Sequence, residues 1–426
     1  MAWRGQLGLH PLGVRKACWL LAPFWNLPVL SQVLNSLKNR ICYCAAGTPG
    51  EGAPHPFMAA YWLNSRGYDV RIVCQGGRGA FEERTVCGGV PVTSLPSGGI
   101  AFQTGLAHEL LRERIRGGFS TIFYLHGHVV TPAASIALLG VPRQRIIYHT
   151  QDFIEPGRHP HWEFFERRFA RRAGWVISNE INRARALMSC YGLKRMPSVV
   201  PTALPTDWPR PDCKPELRQA ILARVGREDD ENCRLVVHEG GFAHVRCGPQ
   251  LLEAFRMLPK DFVLVFTGMD CGSKEWLELR QLAGKLGLEH RVVILERLDF
   301  ADLMRHTACC DAGVLLYPND GIGNFYQCPG RLTHYLGCGL PIIASNFPGL
   351  ELLTLKHNLG AVCDPQSPAA IAGAIQSVAG RTKYDLKNHA LRLKQLACGE
   401  LAYETYAKQI EEIASQSGKL DGQDTK

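Results

Sequence analysis

The chain lacks the marks of several common classes. Its leading apolar stretch, Ala17 to Leu30, is broken by Pro23 and Pro28, which makes it too short and too interrupted to span a bilayer. Arg15-Lys16 precede it as in a signal peptide, but no small-residue cleavage site follows. No CxxC pair of the zinc-ribbon kind occurs among the sixteen cysteines, so their spacing offers no such site. GxGxxG is absent, which weakens a dinucleotide reading. No run of Lys and Arg is interleaved with aromatics, as a nucleic-acid module requires, and no nucleic-acid partner is expected.

What is present is length for two or three domains in 426 residues, 46% of them hydrophobic and 20% charged. The net charge of +9 suits anionic substrates or an anionic membrane surface. Scattered cysteines, with one adjacent pair at Cys309-Cys310, read as reduced and mostly buried thiols of a cytoplasmic protein. Residues 1–39 are expected to be a leader outside the core, either an irregular stretch or over-long gene start, or one that touches the inner face of a membrane. The arginines at Arg112, Arg114 and Arg116, and at Arg167, Arg168, Arg171 and Arg172, add two basic helix faces to that expectation, although such faces are often only solvated.

Apolar runs of strand length alternate with helical patterns from Arg40 onward, and the Pro-rich stretch Pro201 to Pro215 interrupts them once. This predicts an α/β chain of two Rossmann-like, doubly wound domains. The expected boundaries are 40–203, a linker at 204–215, 216–385, a last long helix Asn388 to Ile413 within 386–415, and a disordered tail at 416–426. Strand ends carry polar residues where open α/β sheets put ligands. They are His126-Gly127-His128 and the run His149 to Glu155; glycine-bearing loops, Gly47–Gly52 and Glu239–Gly248, follow the first strand of each half.

The stretch Tyr317 to Leu350 organises the rest. An apolar strand, Ala312 to Leu316, leads into a Gly- and Asn-rich loop, then a helix opening at Pro329, then a second strand, Pro341 to Ser345. That layout turns backbone N–H groups toward an anion. Within it, Asn324, Phe325, Tyr326, Pro329, Arg331, Leu332, His334, Tyr335, Gly339 and Pro341 resemble the donor-site signature of retaining GT-B glycosyltransferases of family 4. The order of elements in the first half, including "VISNE" and "VVPTALP", is similar to the same enzymes.

The resemblance implies a GT-B fold with its C-terminal helix returning to the first domain. It implies transfer of a hexose from a UDP- or GDP-sugar to a glycan or lipid-linked acceptor, with retention and without metal or cofactor, in cell-surface polysaccharide synthesis. In its terms His128, Arg246 and Asp152 are the catalytic candidates. Gly240, Gly241, Asn324, Phe325, Tyr326, Arg331 and His334 are donor-binding, and Gly50, Gly52 and Glu155 face the acceptor. Arg246, aided by Arg331, would neutralise the departing diphosphate. The family commonly has two carboxylates eight apart, one on the donor sugar and one on the ribose; here Tyr326 and His334 stand in those places. That departure keeps a second reading open, a catalytically weak GT-B protein that binds a nucleotide sugar or a partner. A sugar-nucleotide epimerase is a third, which the second-half signature disfavours.

Overall fold

The computed structural model describes residues 40–48, 55–76, 82–86, 89–97, 99–242 and 246–418. The expected leader, Gly50 and Gly52 lie outside them.

Two sheets form. The first contains β1 (Arg40–Ala45), β2 (Asp69–Gln75), β3 (Glu82–Val86), β4 (Val90–Leu95), β5 (Ile122–His126), β6 (Ile146–Thr150), β7 (Trp175–Ser178) and β8 (Ser198–Val199). Their order is β3-β4-β2-β1-β5-β6-β7-β8, parallel except where β3 runs against β4. The second contains β9 (Arg234–Glu239), β10 (Phe262–Met269), β11 (Val292–Glu296), β12 (Ala312–Leu315), β13 (Ile342–Ser345) and β14 (Gly360–Cys363). It is ordered β11-β10-β9-β12-β13-β14 and parallel throughout. Strands such as Ile41–Ala45 are buried on both faces because helices cover both sides, which is why they read as continuous apolar runs.

Strand order reverses between β2-β1 and β5 in one sheet, and between β10-β9 and β12 in the other. A crevice opens outside the carboxyl ends at each such reversal. The two doubly wound, Rossmann-like domains that the sequence predicts are present, each with such a crevice.

Three local features differ from expectation. The turn-rich stretch from Arg78 to Ile100 holds two strands, β3 and β4, where one was expected. β3 lies at the edge of its sheet. The helix Pro348–Lys356 carries leucines all round, so no apolar stripe announced it. The expected last helix, Asn388 to Ile413, is two helices, Lys383–Cys398 and Tyr403–Gly418, separated at Gly399. The first packs on the second domain, where Leu393 and Ala397 join its core. The second crosses back, placing Tyr403, Ala407, Ile410 and Ile413 in the core of the first domain. It is helical to Gly418, beyond the expected start of the tail.

The crossing is tied to the linker. Glu404 accepts from the Thr206 N–H and hydroxyl, both at 2.9 Å. Arg210 donates to the carbonyls of Pro205, Thr206, Trp208 and Ala397. The segment read as an irregular linker is thereby ordered.

Candidate functional site

The site grows from the ends of β9 and β12, the neighbours at the second reversal. β9 ends in Glu239 and passes into Gly240-Gly241, with φ of 97° and 79°, a backbone that favours glycine. A Cβ on Gly241 would stand 2.6 Å from Glu275 Oε2. Both glycine N–H groups donate to the Thr267 carbonyl at 3.1 Å. These glycines therefore shape the turn, and their amides are already spoken for.

β12 runs on into Tyr317, and two arginines flank its ring. The guanidinium carbons of Arg246 and Arg331 lie 4.6 and 5.3 Å from the ring centre, within cation–π range. Arg331 comes from the first turn of the helix Gly330–Cys338 and donates to the Glu239 carbonyl and the Tyr317 hydroxyl. Both acceptors are neutral. Among the described residues, no carboxylate pairs with either guanidinium. Burial first, and the Arg331 charge after it, lower Arg246 from its ordinary value; Asp152 across the cleft pulls it back up. The paired charge is also felt by His238, one residue before Glu239. It is pushed down to about 3 by burial, with Arg331 and Arg246 adding to the shift. Two buried or half-buried cations on one aromatic ring, with Glu239 and Asp152 acting on them only from a distance and no carboxylate of the described residues ion-paired to either, make an anion site.

The loop after Tyr317 is held differently. Its Gly323 N–H donates to Glu155 Oε1 at 2.6 Å, and its Gly323 carbonyl accepts from Arg183. Both partners belong to the first domain. Arg183 is 3% exposed and also reaches Gln327 Oε1 at 2.9 Å and the Gln151 carbonyl at 2.8 Å. A Cβ on Gly321 would meet the Glu155 carboxyl carbon at 2.4 Å. The loop glycines therefore make room for a carboxylate of the chain itself. Glu155, expected on the acceptor side, spends one oxygen on this clamp. Phe325 and Tyr326 donate their N–H groups to Gly321 and Ile322, and Asn324 Nδ2 donates to Asp320 at 2.7 Å.

His334 is 3% exposed. Its Nδ1 lies 2.8 Å from Glu239 Oε2 and its Nε2 lies 3.1 Å from His55 Nε2. The two imidazoles stack at 5.2 Å between centres, and Phe300 meets His334 edge-on. A Cβ on Gly330 would stand 2.4 Å from the His55 ring, so that glycine admits His55 to the helix start. Burial, then His334, holds His55 well below its ordinary value.

In the first domain His128 follows β5 and meets Trp162 edge-on at 5.5 Å. Burial lowers its pKa, and Asp152 opposes the shift. Asp152 is exposed and within Coulombic reach of His128, Arg183 and Arg246. The three catalytic candidates thus share one field across the cleft. His126 and His149 are internal instead: their rings meet at 4.7 Å, and Tyr124 Oη lies 2.8 Å from His149 Nδ1. Burial pushes His126 down to about 4.

Sequence reasoning missed Glu239 as a side chain, along with His55, Arg183 and Thr307. Only Glu239 carried a signal, by ending a strand ahead of the double glycine. Among the described residues, no three of His, Cys, Asp and Glu are gathered as metal ligands. No helix there is long and apolar enough to cross a membrane. Among the described cysteines no disulfide forms. The basic helix faces are partly used internally: Arg171 and Arg172 donate to carbonyls, and Arg112 pairs with Glu109.

Residues 234–380 match the family model for glycosyl transferases group 1, and residues 57–208 match that for Glycosyltransferase Family 4. No curated protein matches in sequence. Solved structures share the fold at low identity. Sucrose-phosphate synthase from Thermosynechococcus elongatus is 14% identical, with a TM-score of 0.69, over 88% of this chain and 98% of that one. Anabaena Alr3699/HepE, in complex with UDP and glucose, is 18% identical, with a TM-score of 0.68, over 88% and 99%. A glycosyltransferase from Rickettsia africae is 13% identical, with a TM-score of 0.67, over 90% and 100%.

Proposed function

The chain is a family 4-like glycosyltransferase of group 1 with the GT-B fold, and from that premise we propose that it moves a hexose from a UDP- or GDP-sugar to a glycan or lipid-linked acceptor with retention. The observation that carries this reading is the pair of arginines on Tyr317. They stand at a strand-order reversal, where an α/β sheet receives a nucleotide, and neither is ion-paired with a carboxylate of the described residues, which leaves a place for a diphosphate. As the sugar leaves, charge grows on that diphosphate, and Arg246 and Arg331 stabilise it without reorganising. His128 and Asp152 face the transferred sugar from the first domain. Gly240, Gly241, Asn324, Phe325, Tyr326 and His334 complete the donor side, and Glu155 the acceptor side.

A UDP-sugar is the first donor to try, because the Anabaena neighbour was solved with UDP-glucose. The proposed setting is cell-surface polysaccharide synthesis, in the cytoplasm at the inner face of a membrane. Support for the membrane contact lies in Ile115 and Phe164, 83% and 59% exposed, beside exposed Arg116, Arg167 and Arg168. The test has two parts. Thermal shifts over UDP-, GDP- and ADP-sugars should stabilise the protein with one base. Release of that nucleoside diphosphate should then depend on an acceptor extract. Stabilisation without release in any extract would favour the binding-protein reading, which His334 in place of a carboxylate recommends.

A further inference from the structure

The carboxylate that His334 replaces in sequence is present in space, one imidazole further back. Glu239 is 2% exposed and its oxygens are both engaged. Oε1 accepts the Thr307 hydroxyl at 2.8 Å, and Oε2 lies 2.8 Å from His334 Nδ1. A carboxylate only accepts, so the His334 proton sits on Nδ1. In the neutral ring Nε2 is then a bare acceptor, turned toward the first domain. His55 Nε2 is 3.1 Å away and donates to it. This leaves His55 Nδ1 as the unprotonated nitrogen, and that atom is buried without a hydrogen-bond partner. The Ala203 carbonyl also draws a proton to His55, but the contact that has hydrogen-bond geometry is the one to His334, and it places the His55 proton on Nε2.

Glu239 also fixes the helix that carries His334. Its N–H lies 3.0 Å from the Tyr335 hydroxyl, and its carbonyl accepts from Arg331. Arg331, His334 and Tyr335 are spaced i, i+3 and i+4, one face of one helical turn. A single residue at the end of β9 thus sets the arginine of the anion site and the proton of its neighbouring histidine.

Resting on the function proposed above, we propose that Glu239 is a positioning residue for the donor. It holds the proton on His334 Nδ1, so that Nε2, backed by a carboxylate, accepts a hydroxyl of the nucleotide sugar in exchange for His55. The negative character that the motif loses at His334 reaches the cleft through the ring, as it does where a carboxylate orients a histidine behind a ligand.

Glu239→Gln tests this with little change of shape. The new carboxamide can keep Thr307 on its oxygen and offer N–H to His334 Nδ1, which drives the proton to Nε2. Nitrogen-15 NMR of labelled histidines, assigned with His334→Ala, should show the Nδ1–H form in the parent and the Nε2–H form in Glu239→Gln. Donor KM should rise roughly tenfold, the scale of one weakened charge-assisted hydrogen bond, with kcat nearly kept. In a His334→Ala background, Glu239→Gln should add nothing further to KM, whereas a merely structural carboxylate would still add its cost. An unchanged tautomer overturns the proposal, as does an unchanged KM or an additive double variant. These results leave the transferase reading standing if the parent binds a nucleotide sugar. A parent that binds none removes that reading and the donor role of Glu239 together, whatever the tautomer.

Discussion

The two loops that the second domain brings to the cleft are held in opposite ways. The Gly240–Gly241 turn is built by its own domain. Thr267 takes both amides, Glu275 sets the space beside Gly241, and the arginines stack on Tyr317 of the same domain. The Gly321–Gln327 loop is built by the other domain, with Glu155 on the Gly323 N–H and Arg183 on its carbonyl. The first loop can therefore hold an anion whatever the cleft does. The second has its shape only when the domains meet. Diphosphate affinity and sugar transfer should then be separable.

The sharpest break is at Arg246. Replacing it with Ala should weaken donor binding and slow transfer by roughly a hundredfold, about 3 kcal/mol, as loss of an electrostatic stabiliser does. Arg246→Lys should recover only part, because an ammonium cannot keep both the bidentate grip and the stacking on Tyr317. Steady-state kinetics and calorimetric titration with the nucleoside diphosphate check this. Parent kinetics in a folded Arg246→Ala protein would move the anion site elsewhere.

A smaller effect is expected at the clamp, and on a different constant. Glu155→Ala leaves the Gly323 amide without its charged acceptor, which costs transfer about tenfold. Affinity for the nucleoside diphosphate alone should stay at the parent value. Gly321→Ala should copy that phenotype, since its Cβ takes the place of the Glu155 carboxyl group. Combining the two should be little worse than either. Equal losses of diphosphate affinity in Glu155→Ala and Arg246→Ala would erase the distinction between the loops.

The smallest effect is on stability, and it sets the domains side by side. Burial holds His238 of the second domain at about 3 and His126 of the first at about 4. In the unfolded chain both take up a proton near pH 6.5. Their contribution is therefore intact above pH 6.5 and drains away as pH falls from there toward the folded values. At pH 5.5 each should cost about 1 kcal/mol relative to neutral solution. Melting temperatures of the parent and of His126→Phe at pH 7.5 and 5.5 check this, and the variant should lose less. An identical drop in the two would clear His126 of the effect.

Sheet strands were legible because they are buried on both faces and read as apolar runs, as in Leu235–Val237 and Ile342–Ala344. The loop glycines were legible as glycines, but their purpose was not. Gly321 and Gly323 look like a cradle for a ligand, and the approaching group is Glu155, over 160 positions away in sequence. His334 likewise read as the loss of a charge, because Glu239 lies on another strand and only folding sets the two 2.8 Å apart. The helix break at Gly399 was hidden by leucines and alanines that continue the apolar periodicity on either side of it.

The returning helix gives the chain an order of assembly. Domains fold as units, and during synthesis the N-terminal one emerges first. Here its core waits for Tyr403, Ala407, Ile410 and Ile413, which leave the ribosome after the whole second domain. The first domain made is the last one finished. Until then the apolar floor beneath β1 and β5 stands uncovered, and a stalled or truncated chain offers that floor to chaperones and proteases.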